Sequence, residues 1–258
     1  MPFWRCLSSI LAPILYSILM LYRSRWLFTL VEQRRNRMCG RFTLSYDAKS
    51  IEEYFDAKNG VENTASYNIT PSQDIPVIWQ DAAAIRHIRL MHWGLIPHWS
   101  KQPSSKYKMI NARADSLRTK PAYREAYRKC RCLIPADGFY EWHTSKGTKQ
   151  PYYIQMMRHQ LFAFAGLWEL WQGEQTLYSC TIITTEANPL LQTIHERMPV
   201  ILQAKDYPIW LDQNSSNDAL EPLLTPYQQN DLTIYPVSND VNNPHNNHAG
   251  LIQRAPLS

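Results

Sequence analysis

Residues 161–171 of this 258-residue chain have the sequence LFAFAGLWELW, in which aliphatic and aromatic residues predominate. Residues 150–156 (QPYYIQM) precede this stretch and residues 176–185 (TLYSCTIITT) follow it, with a similar composition. Short runs of β-branched and aromatic residues that are separated by polar segments are typical of β-strands. The three stretches therefore predict three successive strands at the centre of the fold.

The same pattern extends to both sides of this centre, and a few segments have helical spacing instead. Further strands are expected at 75–79, 84–96, 131–143 with a turn at Asp137-Gly138, from Met198 onward, and 232–238. Helices are expected at 47–57, near 121–129, just before Met198, and over 208–220. The chain has no internal repeat and no long linker after residue 38. Many strands with few helices predict one α+β domain.

The net charge of +5 comes from the N-terminal segment, since residues 1–37 hold six Arg and a single acidic residue, Glu32. The rest of the chain has equal numbers of basic and acidic residues, so its overall charge does not indicate a nucleic-acid partner. Residues 86–131, however, contain twelve Lys and Arg against Asp115 and Glu125. Such a zone is expected of a phosphate-binding face, or of solvated helix faces whose acidic partners lie elsewhere.

The N-terminal segment has an unusual composition. Residues 6–22 carry no charge over 17 residues, which is the short limit for a membrane span, and Pro13 interrupts them. Three interpretations stay open: a stretch upstream of a natural start at Met38, a short anchor with the main domain in the cytoplasm, or a cleavable pro-segment. We favour the first, and expect a cytoplasmic domain over 38–258. Membrane contact through residues 6–22 is the less favoured alternative.

Five cysteines at positions 6, 39, 130, 132 and 180 are an odd and thinly spread set. They favour a reducing compartment over a disulfide framework. Cys130 and Cys132 are closer together than the usual zinc-binding pair, and no second pair accompanies them. We therefore expect neither a metal nor another cofactor.

Cys39 follows Met38 and precedes Gly40 in the sequence MCGRF, which has the form of a trimmed protein start. An N-terminal cysteine carries an amine with a pKa of about 8 next to a thiol with a pKa of about 8.5. The amine can form a Schiff base with an aldehyde, and the thiol can then close a thiazolidine ring. The amine can also serve as the base for amide hydrolysis. An ordinary small apolar cysteine is the simpler alternative.

Three polar residues lie within otherwise apolar stretches: Glu141 in DGFYEWH, His195 in TIHERMPV and Asn111 in INARAD. A partly desolvated Glu141 would have a raised pKa suited to acid–base catalysis, unless it is a surface residue at a turn. His195 lies between an expected helix and a strand, where site residues are common, although a structural histidine fits as well. Asn111 could orient a substrate or cap a turn.

Two further residues suit a nucleic-acid ligand. Arg113 would share a strand face with Asn111 and could bind phosphate. The stretch WGLIPHW (93–99) offers aromatic rings for stacking against a base, with core packing as the alternative.

Together these segments resemble the SOS-response-associated peptidase (SRAP) family, whose proteins crosslink to abasic sites in single-stranded DNA. The similarity rests on MCGRF, YNITPS, MHWGLIPHWS, INARAD, RCLIPADGFYEW, FAFAGLWE, TIITTEAN, HERMPV and VSNDVN, in that order along residues 38–250. It implies a single compact α+β domain with a β-rich, barrel-like core, a few helices and a basic groove for single-stranded DNA. The short apolar and basic extension over residues 1–37 departs from the family pattern.

The resemblance also implies roles for individual residues. Cys39 would form the thiazolidine, while Asn111, Glu141 and His195 match the catalytic positions. By the same resemblance, Arg41, Trp99 and Arg113 match DNA-binding positions. Ser100 is a departure, because the family often has a second aromatic residue there.

Two functions from different classes follow. The first is a monomeric DNA-damage protein with crosslinking and lyase-type activity, which shields abasic sites in single-stranded DNA. The alternative is a cysteine peptidase that processes itself at Cys39.

Overall fold

The computed structural model describes residues 40–58, 61–102, 109–145 and 147–255. Cys39 and the segment 1–37 lie outside the described residues. Within the described part, short helices surround a large set of strands, and the expected α+β class is confirmed. The strands are β1 (Phe42–Leu44), β2 (Ala57–Lys58), β3 (Ser66–Ile69), β4 (Asp74–Gln80), β5 (Arg86–Trp93), β6 (Asn111–Arg113), β7 (Arg131–Ala136), β8 (Gly138–Ser145), β9 (Thr148–Met156), β10 (Phe162–Gln172), β11 (Thr176–Glu186), β12 (Arg197–Pro199), β13 (Ile201–Leu202) and β14 (Leu232–Pro236). The helices are α1 (Ala48–Phe55), α2 (Arg124–Lys129), α3 (Tyr207–Leu211) and α4 (Asn217–Leu220).

Five strands close into a barrel. Strands β11, β10, β7, β4 and β5 are antiparallel neighbours in that order, and β5 returns to pair with β11 in parallel. In this closing pair Ser179 lies opposite His92, and Cys180 lies opposite Trp93. Closure leaves no free edge between these strands. The barrel-like core expected from the sequence is therefore present.

A second sheet, in the order β14-β9-β8-β1-β3, packs against the barrel. An aromatic cluster joins the two layers, because Phe42 of β1 and Phe139 of β8 each contact Phe164 of β10 with ring centroids 5.8 Å apart. Phe42 also meets Trp93 edge to face at 5.2 Å. All four rings are buried, and their packing fixes the second sheet over the barrel.

The chain passes from the barrel to the second sheet at Asp137, between β7 and β8. The sequence predicts a turn here, but β7 and β8 do not pair, because β8 pairs with β1 and β9 instead. The buried Asp137 carboxylate accepts hydrogen bonds from the Ser45 amide at 2.7 Å and from the hydroxyls of Thr43 and Ser45. A Cβ atom at Gly138 would lie 2.1 Å from the Tyr153 hydroxyl, so only glycine fits.

Two expected boundaries are wrong. The strand expected over 84–96 ends at Trp93, because Gly94 has a φ of 147°, which an L-residue rarely adopts. The helix expected over 208–220 is split into α3 and α4. Ser216 caps the second of these by accepting a hydrogen bond from the Ala219 amide. The short helix expected just before Met198 is only a three-residue 3-10 turn at Leu191–Thr193. The other expected helices and strands are present, with ends shifted by a few residues.

Arg131 is a structural residue, although it belongs to the basic zone at 86–131. Its side chain is buried, and its Nε donates to the carbonyl of Trp210 at 2.7 Å. Its terminal nitrogens donate to the carbonyls of Tyr127, Arg128 and Asp212. The guanidinium thus joins the end of α2 to the end of α3 from within the core, where burial separates it from solvent.

We expect Arg131→Met to lower the free energy of unfolding by about 3 kcal/mol, because it leaves several buried carbonyl groups without a donor. Urea unfolding would measure the loss. Arg128→Met is the matched control. Its side chain is 69% exposed and pairs only loosely with Glu125 at 3.7 Å, so a change within about 0.5 kcal/mol is expected. Equal stability of the two variants would contradict this role for Arg131.

Candidate functional site

The first described residue lies beside a buried carboxylate. Strand β1 pairs with β8 so that Phe42 is opposite Phe139, and the Tyr140 amide donates to the Arg41 carbonyl at 3.0 Å. One residue further along this antiparallel register, Gly40 comes opposite Glu141. The Glu141 side chain is only 2% exposed. Glu141 is therefore a buried residue, rather than a surface residue at a turn.

Glu141 points toward the barrel. Side chains alternate between the two faces of a strand, so Glu141 shares a face with Phe139, whose ring contacts Phe164 of the barrel. Its strand neighbours Tyr140 and Trp142 belong to the opposite face, where Tyr140 packs on Tyr153 at 5.1 Å. The carboxylate is thus directed into the interface between the two layers.

Asn111 and Arg113 lie on one edge of strand β11. Strand β6 pairs in parallel with β11, which sets Asn111 opposite Ile182 and Arg113 opposite Thr184. The two side chains share a face, as the sequence predicts. Thr184 also pairs with Pro199 of β12 on its other edge. The end of β11 therefore joins the Asn111 segment to the segment that contains His195.

His195 is buried immediately before β12. Its Nδ1 lies 3.1 Å from the backbone nitrogen and 3.2 Å from the carbonyl oxygen of Arg197, which fixes the orientation of the ring. Its Nε2 is buried without a hydrogen-bond partner in the described part of the chain. Burial lowers the pKa of His195, and the bond with the Arg197 backbone opposes this effect. The ring is thus held at Nδ1, while Nε2 keeps an unused hydrogen-bonding position inside the fold.

Arg197 was not identified from the sequence, although it follows His195 by two residues. Its guanidinium donates to the carbonyl oxygen of Thr184 at 2.7 Å and to the Thr184 hydroxyl at 3.1 Å. Its buried Nε has no partner among the described residues. Burial lowers the pKa of Arg197, and the positive charge of Arg113 lowers it further. In the sequence, the only sign of a special role for Arg197 was that a charged residue stands at the start of an apolar strand.

Arg113 is exposed and forms an ion pair with Asp115, which raises the pKa of Arg113 and lowers that of Asp115. Asp115 and Arg197 line a cleft of about 390 Å³, together with Arg118 and Glu221. Glu186 also lines this cleft, so its basic residues are matched by acidic ones. Guanidinium groups such as those of Arg113 and Arg197 are hydrogen-bond donors suited to phosphate oxygens.

Arg41 lies on the face of the second sheet opposite Glu141. It donates to the Asn68 side chain at 2.7 Å and to the carbonyl of Val241, and it lies 5.8 Å from the centre of the Trp142 ring. Burial lowers its pKa. These contacts tie β1 to β3 and to the Asn-rich C-terminal segment. Both hydrogen bonds come from one terminal nitrogen, and the buried Nε has no partner among the described residues. The DNA contact expected of Arg41 stays a prediction.

The two tryptophans of WGLIPHW have opposite environments. Trp93 is completely buried and donates to the Ile110 carbonyl at 3.0 Å, so the expectation of an exposed ring is wrong for it. Trp99 is 59% exposed. The loop that carries Trp99 forms a hydrogen bond with Ser179 of β11. Ser179 and Thr184 are five residues apart, which corresponds to about 17 Å along the strand. The start of the same loop also pairs with the segment before Asn111, because Leu95 forms an antiparallel bridge with Met109.

In the part of the chain that the structure describes, no group of three or more His, Cys, Asp or Glu residues could hold a metal ion. None of the helices found there has the length and apolar character needed to cross a membrane.

Comparisons with known proteins agree with this architecture. The model of the family described as SOS response associated peptidase (SRAP) matches residues 38–244. The abasic site processing protein YoaM of Bacillus subtilis is 46% identical over 222 residues, which cover 83% of this chain and 97% of YoaM. The abasic site processing protein HMCES of Xenopus tropicalis is 35% identical over 216 residues, which cover 70% of this chain and 64% of HMCES.

A crystal structure of a protein from Bacteroides thetaiotaomicron superposes with a TM-score of 0.78 and 26% sequence identity. The match covers 84% of this chain and all of that protein. The family match spans both layers of the fold, from the start of β1 to the segment after β14. The chain belongs to the SOS response associated peptidase family.

Proposed function

We propose that this protein captures abasic sites in single-stranded DNA covalently, through Cys39 as the first residue of the functional chain. The observation that carries the proposal is the register of β1 and β8. Continued past Phe42, this register sets Gly40, the neighbour of Cys39 in sequence, opposite the buried Glu141. A reactive α-amine attached at this point would be next to a proton acceptor. The printed names of YoaM and HMCES support abasic DNA as the substrate.

The proposed reaction joins the amine and the thiol of Cys39 to one carbon atom. The amine nitrogen adds to the aldehyde carbon of the open abasic sugar, and water leaves as the imine forms. The thiolate sulfur then adds to the imine carbon, and the imine nitrogen takes up a proton. One molecule of water is lost overall, and the product is a thiazolidine. An amide nitrogen within a chain is delocalised into its carbonyl and cannot carry out the first step.

Glu141 and His195 have complementary tasks in this proposal. Glu141 accepts a proton from the attacking amine and returns it during loss of water. His195, through Nε2, protonates the ring oxygen of the closed sugar, which opens it to the aldehyde. Asn111 holds the N-terminal residue in place. The guanidinium groups of Arg113 and Arg197 bind the phosphates that flank the abasic site.

A second candidate function is cleavage of the chain's own peptide bond before Cys39. The description of the family as a peptidase supports it, and so does the position of Cys39 beside Met38. Such cleavage would also generate the free α-amine that DNA capture requires. For either function we propose that the protein acts as a monomer in the cytoplasm, which suits its thinly spread cysteines.

We expect a chain that retains residues 1–37 to give no stable adduct with an abasic oligonucleotide, because its Cys39 lacks an α-amine. A chain that begins Met38-Cys39 should give the adduct once Met38 is removed, and Cys39→Ala should abolish it. Denaturing gels of the crosslinked species would measure these outcomes. Self-cleavage is read separately from the intact mass of the full chain and of its Cys39→Ala variant. A stable adduct on an uncut full-length chain would contradict the mechanism.

We expect Glu141→Gln to slow adduct formation by about 10²- to 10⁴-fold, because an amide cannot accept the proton from the amine. Single-turnover crosslinking measures the rate. Glu62→Gln is the matched control, since Glu62 is exposed and remote from β8 in sequence, and it should react at the parent rate. Equal rates for both variants would remove Glu141 from the mechanism.

The pH dependence tests His195. Burial places its pKa below the ordinary value of 6.5, so the protonated fraction grows as the pH falls from 8 to 6. If the imidazolium protonates the sugar, the ratio of the parent rate to the His195→Gln rate should increase over this range. Taking a ratio cancels the titration of the α-amine, which both proteins share. A ratio that falls toward pH 6 would indicate that neutral His195 acts as a base instead.

We expect Arg113→Ala to weaken binding to single-stranded DNA and to reduce the slope of log affinity against log salt by about 1, because one phosphate contact is lost. Arg158→Ala is the control, since Arg158 is exposed in the turn after β9. Fluorescence anisotropy at several salt concentrations measures both slopes. An unchanged slope for Arg113→Ala would show that Arg113 does not contact phosphate.

A further inference from the structure

The loop over residues 94–102 follows strand β5 and carries the exposed Trp99. Strand β11 holds the start of this loop, because the Gly94 amide donates to the Cys180 carbonyl at 2.9 Å and the Ile96 amide donates to the Ser179 hydroxyl at 2.9 Å. The loop therefore leaves the barrel in a fixed direction at the point where β5 and β11 pair.

A buried carboxylate holds the residue before Trp99. Glu169 of β10 is 7% exposed, and its Oε2 lies 3.1 Å from Nδ1 of His98. Burial raises the pKa of Glu169, while the charge and the hydrogen bonds of His98 lower it. The carboxylate thus has its partners on the loop that it anchors.

A buried indole holds the residue after Trp99. Trp171 of β10 is 7% exposed, and its Nε1 donates to the Ser100 carbonyl at 2.8 Å. The Ser100 amide bonds in turn to the Pro97 carbonyl at 2.9 Å, which closes a tight turn. Both neighbours of Trp99 are therefore attached to the same rigid strand, whereas the Trp99 ring itself is 59% exposed.

We infer that Glu169 and Trp171 are positioning residues, which hold the Trp99 ring outward so that it can stack on an unpaired base. This inference rests on the proposed function, since it takes single-stranded DNA as the ligand. Anchoring both neighbours of Trp99 removes loop freedom before the ligand arrives, so less conformational entropy is lost on binding. Such pre-organisation matters more here because Ser100, rather than a second aromatic ring, follows Trp99.

The anchoring is tested without DNA by hydrogen exchange at the amides of residues 94–100. Glu169→Ala should increase their exchange about 10-fold or more, because the loop loses one of its two side-chain attachments on β10. Glu169→Gln keeps a hydrogen-bonding group for the His98 ring and should restore much of the protection. Glu174→Ala, at an exposed position in the next turn, is the matched control and should leave exchange unchanged. Unchanged exchange in Glu169→Ala, with a parental melting temperature, would overturn the anchoring.

The link to DNA is tested by a double-mutant cycle with an oligonucleotide of unmodified single-stranded DNA. Trp99→Ala should weaken binding about 10-fold, in line with the loss of one stacked base. Glu169→Ala should weaken it several-fold in the parent, but not in the Trp99→Ala background, and Glu169→Gln should restore the affinity. An equal loss in both backgrounds would show that Glu169 does not act through Trp99. If the parent protein does not bind the oligonucleotide, both the proposed function and DNA as the ligand of Trp99 are refuted. The hydrogen-exchange experiment would still show whether Glu169 anchors the loop.

Discussion

The parallel pairing of β5 with β11 is the constraint on which the rest of the structure depends. It closes the barrel at Trp93 and Cys180, and it buries Trp93 against Phe42 of the second sheet. It also fixes where the Trp99 loop begins, through the bond from Gly94 to Cys180. Because β6 continues on the same edge of β11, the pairing determines the positions of Asn111 and Arg113 as well. Closing one barrel therefore positions one catalytic candidate, Asn111, together with Arg113 and the start of the Trp99 loop.

Electrostatics distinguishes the two halves of the candidate site. On the β8 side, Glu141 is a carboxylate that the fold has removed from water. On the β11 side, burial and the charge of Arg113 lower the pKa of Arg197, while Asp115, Glu186 and Glu196 raise it. In the proposed function, the first half would transfer protons and the second would bind phosphate.

The strands of the fold could be predicted from the sequence because their burial follows local hydrophobic pattern. Their pairing could not. The contact between His92 and Ser179 joins residues that are far apart in the chain, and Asp137 marks a change of sheet that looks like a hairpin turn in the sequence. Trp93 and Trp99 have similar local surroundings in the sequence, yet one fills the core and the other is exposed.

The candidate site shows the same division. The residue types of Glu141, His195 and Asn111 were enough to suggest catalytic roles from the sequence. The backbone contacts that orient His195 could not be predicted in this way. The roles of Arg131, Arg197 and Glu169 also depend on tertiary contacts. Each of these three charged residues is buried, and local pattern gives no reason to bury a charge. Arg131 accordingly belongs to the basic zone by sequence and to the core by structure.

The central claim is that both the nitrogen and the sulfur of Cys39 bond to the abasic sugar. The most direct test is mass spectrometry of the N-terminal peptide, released from the adduct by protease and nuclease digestion after treatment with a thiol-alkylating reagent. The account predicts that this peptide begins with Cys39, carries the sugar with the loss of one water, and resists alkylation because its sulfur lies in the ring. A sugar attached to a lysine, or a Cys39 thiol that still accepts the reagent, would contradict it.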